Sequence, residues 1–155
     1  MFQGRELTRK LYRDSVLINN FFKEQVTNAM DQVATELELP RKTKFSQYFV
    51  LCELYYTRQT TLTELSDAID VTMPNVSNTV NELIGLGLAE RKADSSDRRK
   101  TIISITELGL TYSKKIIPLC VEIFDTVFYD KKQSQQIVEY YEETLKRIDV
   151  FQNRG

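Results

Sequence analysis

The run TLTELSDAIDVTMPNVSNTVNELIGLGLAERKADSSDRRKTIISITELG, residues 61–109, decides the fold. Thr61-Leu62-Thr63-Glu64 has the form of a capping box, in which a hydroxyl and a carboxylate satisfy each other's backbone N–H groups, and predicts a short helix ending near Ile69. In the turn from Ala68 to Thr72, Asp70 stands where the backbone wants a positive φ, a conformation Asp tolerates better than most residues. Thr72 is placed to cap a second helix, and Pro74 falls in its first turn, where no internal N–H partner is lost. Gly87 supplies a left-handed stop. Beyond it LAERK begins a strand, ADSSD turns, and RRKTIISI returns with Thr101, Ile103 and Ile105 alternating toward the core.

Helix, tight turn, helix and charged two-stranded ribbon form a winged helix-turn-helix, a device that lays one helix in a DNA major groove while a hairpin reaches alongside it. On the second helix Val76, Val80, Leu83 and Ile84 share one face at about 100° per residue. The other face presents Pro74, Asn75, Asn78, Asn81 and Glu82, with Ser77 and Thr79 on its flanks. An Asn amide offers the donor and acceptor that match adenine N6 and N7, and small hydroxyls reach phosphates or bases. Three Asn residues cost helix propensity for no packing gain. The candidate major-groove residues are therefore Thr72, Pro74, Asn75, Ser77, Asn78, Thr79 and Glu82; a plain solvated face is the alternative.

The ribbon tip shifts the balance. RKADSSDRRK, residues 91–100, carries five cations and two anions on a chain whose net charge is -1, a local basic footprint on a neutral body. Asp97 and Arg99 lie two apart in what reads as the strand leaving the tip, so their side chains share a face. A carboxylate there holds a guanidinium extended, and Arg suits a narrow, electronegative minor groove. Asp97, Arg98, Arg99 and Lys100 are the candidate wing contacts.

Long helices bracket this lobe. Apolar residues recur at three- and four-residue steps through Leu7, Leu11, Ile18, Phe21, Phe22, Val26, Met30, Val33 and Leu37, and Pro40 ends that helix. RKTK is a basic connector to a helix at about residues 44–56, predicted to bury Phe45, Tyr48, Phe49, Cys52 and one of Tyr55 or Tyr56. Thr106-Glu107 opens a helix with a stripe through Ile116, Cys120, Ile123, Phe124, Val127 and Phe128. Asp130 is placed to cap a last helix carrying Ile137, Tyr141, Leu145 and Ile148. These stripes are too extensive for one monomer to cover, which predicts a dimer. The fold class is mainly α with a small β-hairpin wing (α+β): one domain over residues 1–155, a DNA-binding lobe at 44–109, and dimerisation helices at 1–37 and 107–152.

Composition narrows the chemistry. With 155 residues and 41% hydrophobic content the chain can form one real core. It has no histidine, which removes the usual general base and the commonest metal ligand. Its two cysteines, Cys52 and Cys120, make neither a CxxC pair nor a zinc site, and its five glycines make no phosphate-cradling loop. No enzyme activity, metal or cofactor is expected. No run reaches the roughly 18 apolar residues of a membrane span, and the first residues, MFQGRELTRKLYRD, lack an apolar secretory stretch, so the expected location is cytoplasmic.

The run DRRKTIISITELG at 97–109 resembles the wing signature of the MarR family, the multiple-antibiotic-resistance regulators. Asp97, Arg99, Thr106 and Gly109 match the pattern, with Ile105 in place of the usual Leu. TELSDAIDV and VSNTVNELIGLGLAER are similar to the family's two helix-turn-helix helices, with Asp70 where Gly is commoner. The resemblance implies a homodimeric, ligand-responsive repressor that binds a pseudo-palindromic operator in double-stranded DNA, with the first helix and the last two at the dimer interface. It also implies a candidate pocket for a small aromatic or phenolic effector between dimerisation helices and DNA lobe, with Tyr12, Phe22, Phe45, Tyr48, Phe49 and Cys52 as candidate lining. Plain core packing is the alternative for each of them. Two rival functions remain: a winged-helix module that docks a protein without binding DNA, and a cysteine-based redox regulator. The peroxide-sensing members of the family carry a cysteine in the first helix, whereas this chain has none before Cys52.

Overall fold

The structure is a computed structural model that describes residues 2–97, 100–128 and 131–153. Its elements run α1 (Phe2–Glu36), α2 (Phe45–Thr57), β1 (Gln59–Thr60), α3 (Leu62–Ile69), α4 (Met73–Gly85), β2 (Ala89–Ala93), β3 (Thr101–Ile105), α5 (Glu107–Val127) and α6 (Lys131–Gln152). They fall into two compact units, Met1–Cys120 and Val121–Gly155.

The local signals act as expected. Glu64 Oε2 accepts from the Thr61 N–H (2.8 Å), and the Glu64 N–H donates to Thr61 Oγ1 (3.2 Å), closing the capping box of α3. Asp70 ends that helix at φ 51 and ψ 48, in the left-handed region. Pro74 lies in the first turn of α4, and Gly87 follows that helix at φ 75. Thr72 departs from expectation: it occupies the cap position with extended backbone, yet its hydroxyl makes no capping bond.

The sheet differs from the two-stranded ribbon. β1 adds a third antiparallel strand, in the order β1-β3-β2, with Thr60 opposite Ile103 on one side of β3 and Arg91 opposite Ile103 on the other. β3 is thus the central strand. Its outer end, including Thr101, is exposed, while Ile103, Ser104 and Ile105 are all buried. The expected alternation of Thr101, Ile103 and Ile105 fails at Thr101, because that residue stands at the open end beside the wing turn.

The first unit holds one core. Val76, Val80 and Leu83 of α4 meet Leu65 of α3, Val50, Leu51 and Leu54 of α2, Val26, Met30 and Val33 of α1, and Tyr112, Ile116 and Cys120 of α5. Tyr112 is fully buried; its hydroxyl donates to the Met30 carbonyl (3.0 Å) and lies 3.1 Å from Thr43 Oγ1, tying α5 to α1 and to the connector before α2. The face of α2 is a correction. Gln47, Val50, Leu51 and Leu54 are buried, whereas Phe45, Tyr48, Cys52 and Tyr55 are only half-buried and Phe49 and Tyr56 are exposed. The pattern misled because a polar residue, Gln47, holds a core position.

Two segments keep apolar surface in the open. In α1, Leu7 is 59% exposed, and Leu11, Leu17, Ile18 and Phe21 are exposed as well. In the second unit α6 exposes Val138, Tyr141, Leu145 and Ile148, while Ile137 is half-buried. Asp130, the expected cap of α6, lies outside the described residues. No described helix is long and apolar enough to cross a membrane.

Stability should be nearly level between about pH 5 and 8, since no histidine titrates there. Burial pushes the Cys52 thiol up from 9.0 to about 11, and burial also raises Cys120, Tyr48 and Tyr112, the last to about 12. The folded chain keeps these protons after the unfolded chain has lost them. Stability should therefore be complete below 9.0, the ordinary thiol value, and fall as pH climbs through the raised values. Glu64 and Asp94, and Glu82 with them, are held low by hydrogen bonds, so their contribution is full above their ordinary values of 4.5, 3.8 and 4.5 and lost on further acidification. Urea midpoints measured across this range check the profile; a midpoint rising from pH 9 to 11 contradicts it.

Candidate nucleic-acid interface

α4 is amphipathic across its whole length. With Val76, Val80 and Leu83 in the core, Thr72, Pro74, Asn75, Asn78 and Asn81 are exposed, and Ser77, Thr79 and Glu82 are half-buried at the flanks. The amides of Asn75 and Asn78 make no hydrogen bond among the described residues, so they are available to a ligand. Thr79 Oγ1 is engaged within the helix, donating to the Asn75 carbonyl (3.0 Å).

Glu82 is not available in the same way. Its Oε1 takes the Lys44 ammonium at 2.5 Å and its Oε2 takes Gln47 Nε2 at 2.9 Å. Gln47, only 2% exposed, also accepts from the Lys44 N–H through its own Oε1 (3.0 Å), closing the N-terminus of α2. The Lys44 and Gln47 hydrogen bonds hold the Glu82 carboxyl below its usual range. This is a clamp between the start of α2 and the end of α4, with the Arg41 guanidinium beside Gly85 nearby. Sequence reading placed Glu82 on the groove-facing side; its partners, 35 and 38 positions away, carry no local signal.

The wing turn has an organiser that spacing did not reveal. Asp94 Oδ1 accepts from Ser96 N–H (2.6 Å), Ser96 Oγ (2.6 Å) and Asp97 N–H (3.1 Å), which keeps its carboxyl below the ordinary carboxylate range. The Asp94 N–H donates to the Lys100 carbonyl (3.0 Å), and the Lys100 N–H to the Asp97 carbonyl (2.9 Å). β3 begins at Thr101, and Asp97 lies in the turn before it rather than in the strand. Arg98 and Arg99 lie outside the described residues. Lys100 is exposed, and its charge contributes to lowering Asp94 and Glu64.

The base of the wing is tied to the helices on both sides. Thr106 Oγ1 donates to the Gly87 carbonyl (2.6 Å) and accepts from the Gly109 N–H (3.0 Å), while the Thr106 N–H donates to the Leu88 carbonyl (3.1 Å). These bonds join the end of α4, the start of β2 and the first turn of α5.

Of the six residues read as an effector pocket, Phe45, Tyr48, Phe49 and Cys52 are neighbours on α2, and Tyr12 and Phe22 lie on α1. Tyr12 is 73% exposed on α1, and Phe22 is buried on the same helix. Tyr48 is beside Cys52 and Cys120, where burial and both thiols raise its phenol far above the usual value. Phe45 and Phe49, with ring centroids 5.4 Å apart, line a cleft of about 410 Å³ against α4, and the Phe49 ring also meets Tyr48 edge to face at 5.4 Å. The spacing 45, 48, 49 and 52 puts all four on one face of α2. The raised thiol values leave Cys52 and Cys120 protonated at neutral pH, which disfavours the redox reading.

A family model described as the MarR family matches residues 45–101. No curated protein sequence gives a significant match. Among solved structures, overoxidized AbfR bound to DNA is similar with a TM-score of 0.73 at 20% identity, over 96% of this chain and 98% of that one. A mutant MarR from E. coli complexed with operator DNA gives 0.75 at 15% identity, over 88% and 94%. The S. aureus MepR–DNA complex gives 0.72 at 22% identity, over 90% and 96%. At these identities the likeness is one of fold.

Proposed function

Residues 45–101 belong to the MarR family, and from that footing we propose that the chain is a dimeric, sequence-specific DNA-binding transcription regulator, a repressor in its basal state. The observation that carries the reading is the exposed, unpartnered amide face of α4, Asn75 and Asn78 above all, in a lobe that also bears a basic turn. Thr72, Pro74, Asn75, Asn78 and Thr79 enter the major groove, and Ser77 lies against phosphate. The wing, with Asp97, Arg98, Arg99 and Lys100, reaches the minor groove and its phosphates. Glu82 serves as the clamp that sets how α4 is presented. The dimer follows from apolar surface left open in each unit: a second copy covers the Leu7, Leu11 and Ile18 stripe of α1 and the Tyr141 and Leu145 stripe of α6. The three similar structures named above are DNA complexes, which agrees with the reading.

Selection from a randomised duplex library tests the proposal. The enriched sequence is expected to hold two half-sites about 10 base pairs apart or a multiple of that, one helical turn per protomer. Sedimentation at micromolar concentration is expected to give a dimer. Affinity is expected to fall steeply with salt, because phosphate contacts release counterions. A stable monomer contradicts the assembly; no enrichment, or binding insensitive to salt, contradicts the DNA reading and favours a protein-docking module.

The wing turn supplies a finer test. Asp94→Asn keeps the Oδ1 acceptor and removes a negative charge, so it should bind the selected duplex as tightly as the parent or more so. Asp94→Ala removes the same charge and also opens the turn. It is expected to bind about 3- to 10-fold more weakly than Asp94→Asn, because a tip that is not pre-ordered loses conformational entropy on docking. Equal affinities for the two variants show that only charge counts there.

A further inference from the structure

The connector RKTK, residues 41–44, reaches three helices from four consecutive positions. Toward α4, the Lys44 ammonium meets Glu82 Oε1 at 2.5 Å, and the Arg41 guanidinium lies so close over Gly85 that an added Cβ would collide with it. Glu82 and Gly85 both belong to the last turn of α4. Away from α4, Thr43 Oγ1 lies 3.1 Å from the Tyr112 hydroxyl of α5, and Lys42 Nζ lies 3.3 Å from Asp31 Oδ2 of α1. We infer that this connector is a strap that fixes α4 against α1 and α5 for base reading, and that Thr43 and Tyr112 are positioning residues acting through it.

Burial of Val76, Val80 and Leu83 holds α4 in the core, but the hydrophobic effect has no preferred direction. Base reading by Asn75 and Asn78 needs direction, because paired amide contacts must be held within about 0.5 Å of their geometry. At the tail of α4 the directional bonds come from the start of α2 and the connector before it. The Lys44–Glu82 bond carries charge on both partners, and Gln47 joins it from the buried side. The Lys42–Asp31 pair is solvent-exposed at its lysine end and contributes little. Thr43 is the firm anchor: it is 4% exposed, and Tyr112 is fully buried. The phenol has one hydrogen, which the Met30 carbonyl takes at 3.0 Å, so the Thr43 hydroxyl donates the second bond. One buried threonine thus ties the connector to α5 and, through Tyr112, to α1. Neither side chain is open to a duplex, so an effect of either on DNA binding acts through other residues.

The affinity half of this inference rests on the DNA reading of α4, while the mechanical half stands without it. Thr43→Val removes the hydroxyl, keeps the shape, changes no charge and leaves the Tyr112–Met30 bond in place. On the selected duplex it is expected to bind about 3- to 10-fold more weakly than the parent, and Thr43→Ser, which keeps the donor, within about twofold. Random-duplex affinity and salt slope should match the parent, because no phosphate contact is lost. Glu82→Gln is also expected to bind the selected duplex about 3- to 10-fold more weakly, although loss of a negative charge by itself strengthens DNA binding. The Thr43→Val, Glu82→Gln double variant should lose no more than the more affected single variant, because either cut releases the same strap. The same cycle in urea unfolding, with no DNA present, should likewise be less than additive. If Thr43→Val lowers the urea midpoint but binds the selected duplex like the parent, Thr43 is merely structural and the inference is overturned. Tighter binding by Glu82→Gln, or additive losses in either cycle, overturns it too. If the parent binds no duplex, the DNA reading fails and the unfolding cycle judges the strap: additive losses refute it, and less than additive losses sustain it.

Discussion

Gly109→Ala is expected to destabilise the chain by about 3–4 kcal/mol, a fall of roughly 10 °C in Tm for a domain of this size. A Cβ built at this position stands 2.0 Å from the Leu88 carbonyl oxygen and 2.7 Å from Ile105 Cγ1. Neither neighbour can give cheaply. Leu88 is fully buried, and its carbonyl is already taken by the Thr106 N–H at 3.1 Å. The first turn of α5 must therefore back away from β2, which stretches that bond and the 2.6 Å bond from Thr106 to Gly87. Helix propensity alone predicts the opposite sign, since Ala exceeds Gly by about 1 kcal/mol within a helix. Gly4 is the control: it too lies in a helix, but an added Cβ there meets nothing within 4 Å, so Gly4→Ala should be neutral or mildly stabilising. Urea unfolding of both variants decides the matter. A Gly109→Ala variant as stable as the parent shows that α5 has room the packing does not reveal.

Asn78→Ala is expected to weaken binding to the selected duplex by about 1–3 kcal/mol, or roughly 5- to 150-fold, and to leave binding to random duplex nearly unchanged. The side chain is exposed and holds no hydrogen bond among the described residues, so its removal deprives the fold of nothing. Alanine is the better helix former by about half a kcal/mol, so the variant should be no less stable than the parent. A loss of binding in that variant therefore reports lost recognition rather than lost structure. Competition titrations with selected and random duplex at one salt concentration make the measurement. An equal loss on both assigns Asn78 to the phosphate backbone, and no loss on either removes α4 from the readout.

Much of the fold was legible without coordinates because its signals are short-range. The capping box at Thr61 and Glu64, the left-handed turn at Asp70, Pro74 in a first turn and Gly87 past a last one each depend on residues within a few positions. The amphipathic period that buries Val76, Val80 and Leu83 and leaves Asn75 and Asn78 outside is likewise local. The sequence by itself therefore determined the order of helices and wing, the exposed amide face and the family resemblance. Tertiary structure decided whatever depends on partners distant in the chain. Gln59 and Thr60 look like a loop until β3 offers them a free edge. Gln47 looks like a surface residue until Glu82 satisfies its amide, and a polar side chain then holds a core position on α2 while Phe49 stays exposed. Asp94 gathers the wing turn through the backbone N–H groups of Ser96 and Asp97, a role that only the folded turn reveals. Gly109 is required by a carbonyl 21 positions earlier, whose approach no local pattern records. Periodicity and capping report the backbone's immediate neighbours; a buried polar group or a close backbone contact is stable only when a distant partner arrives to satisfy or exclude it.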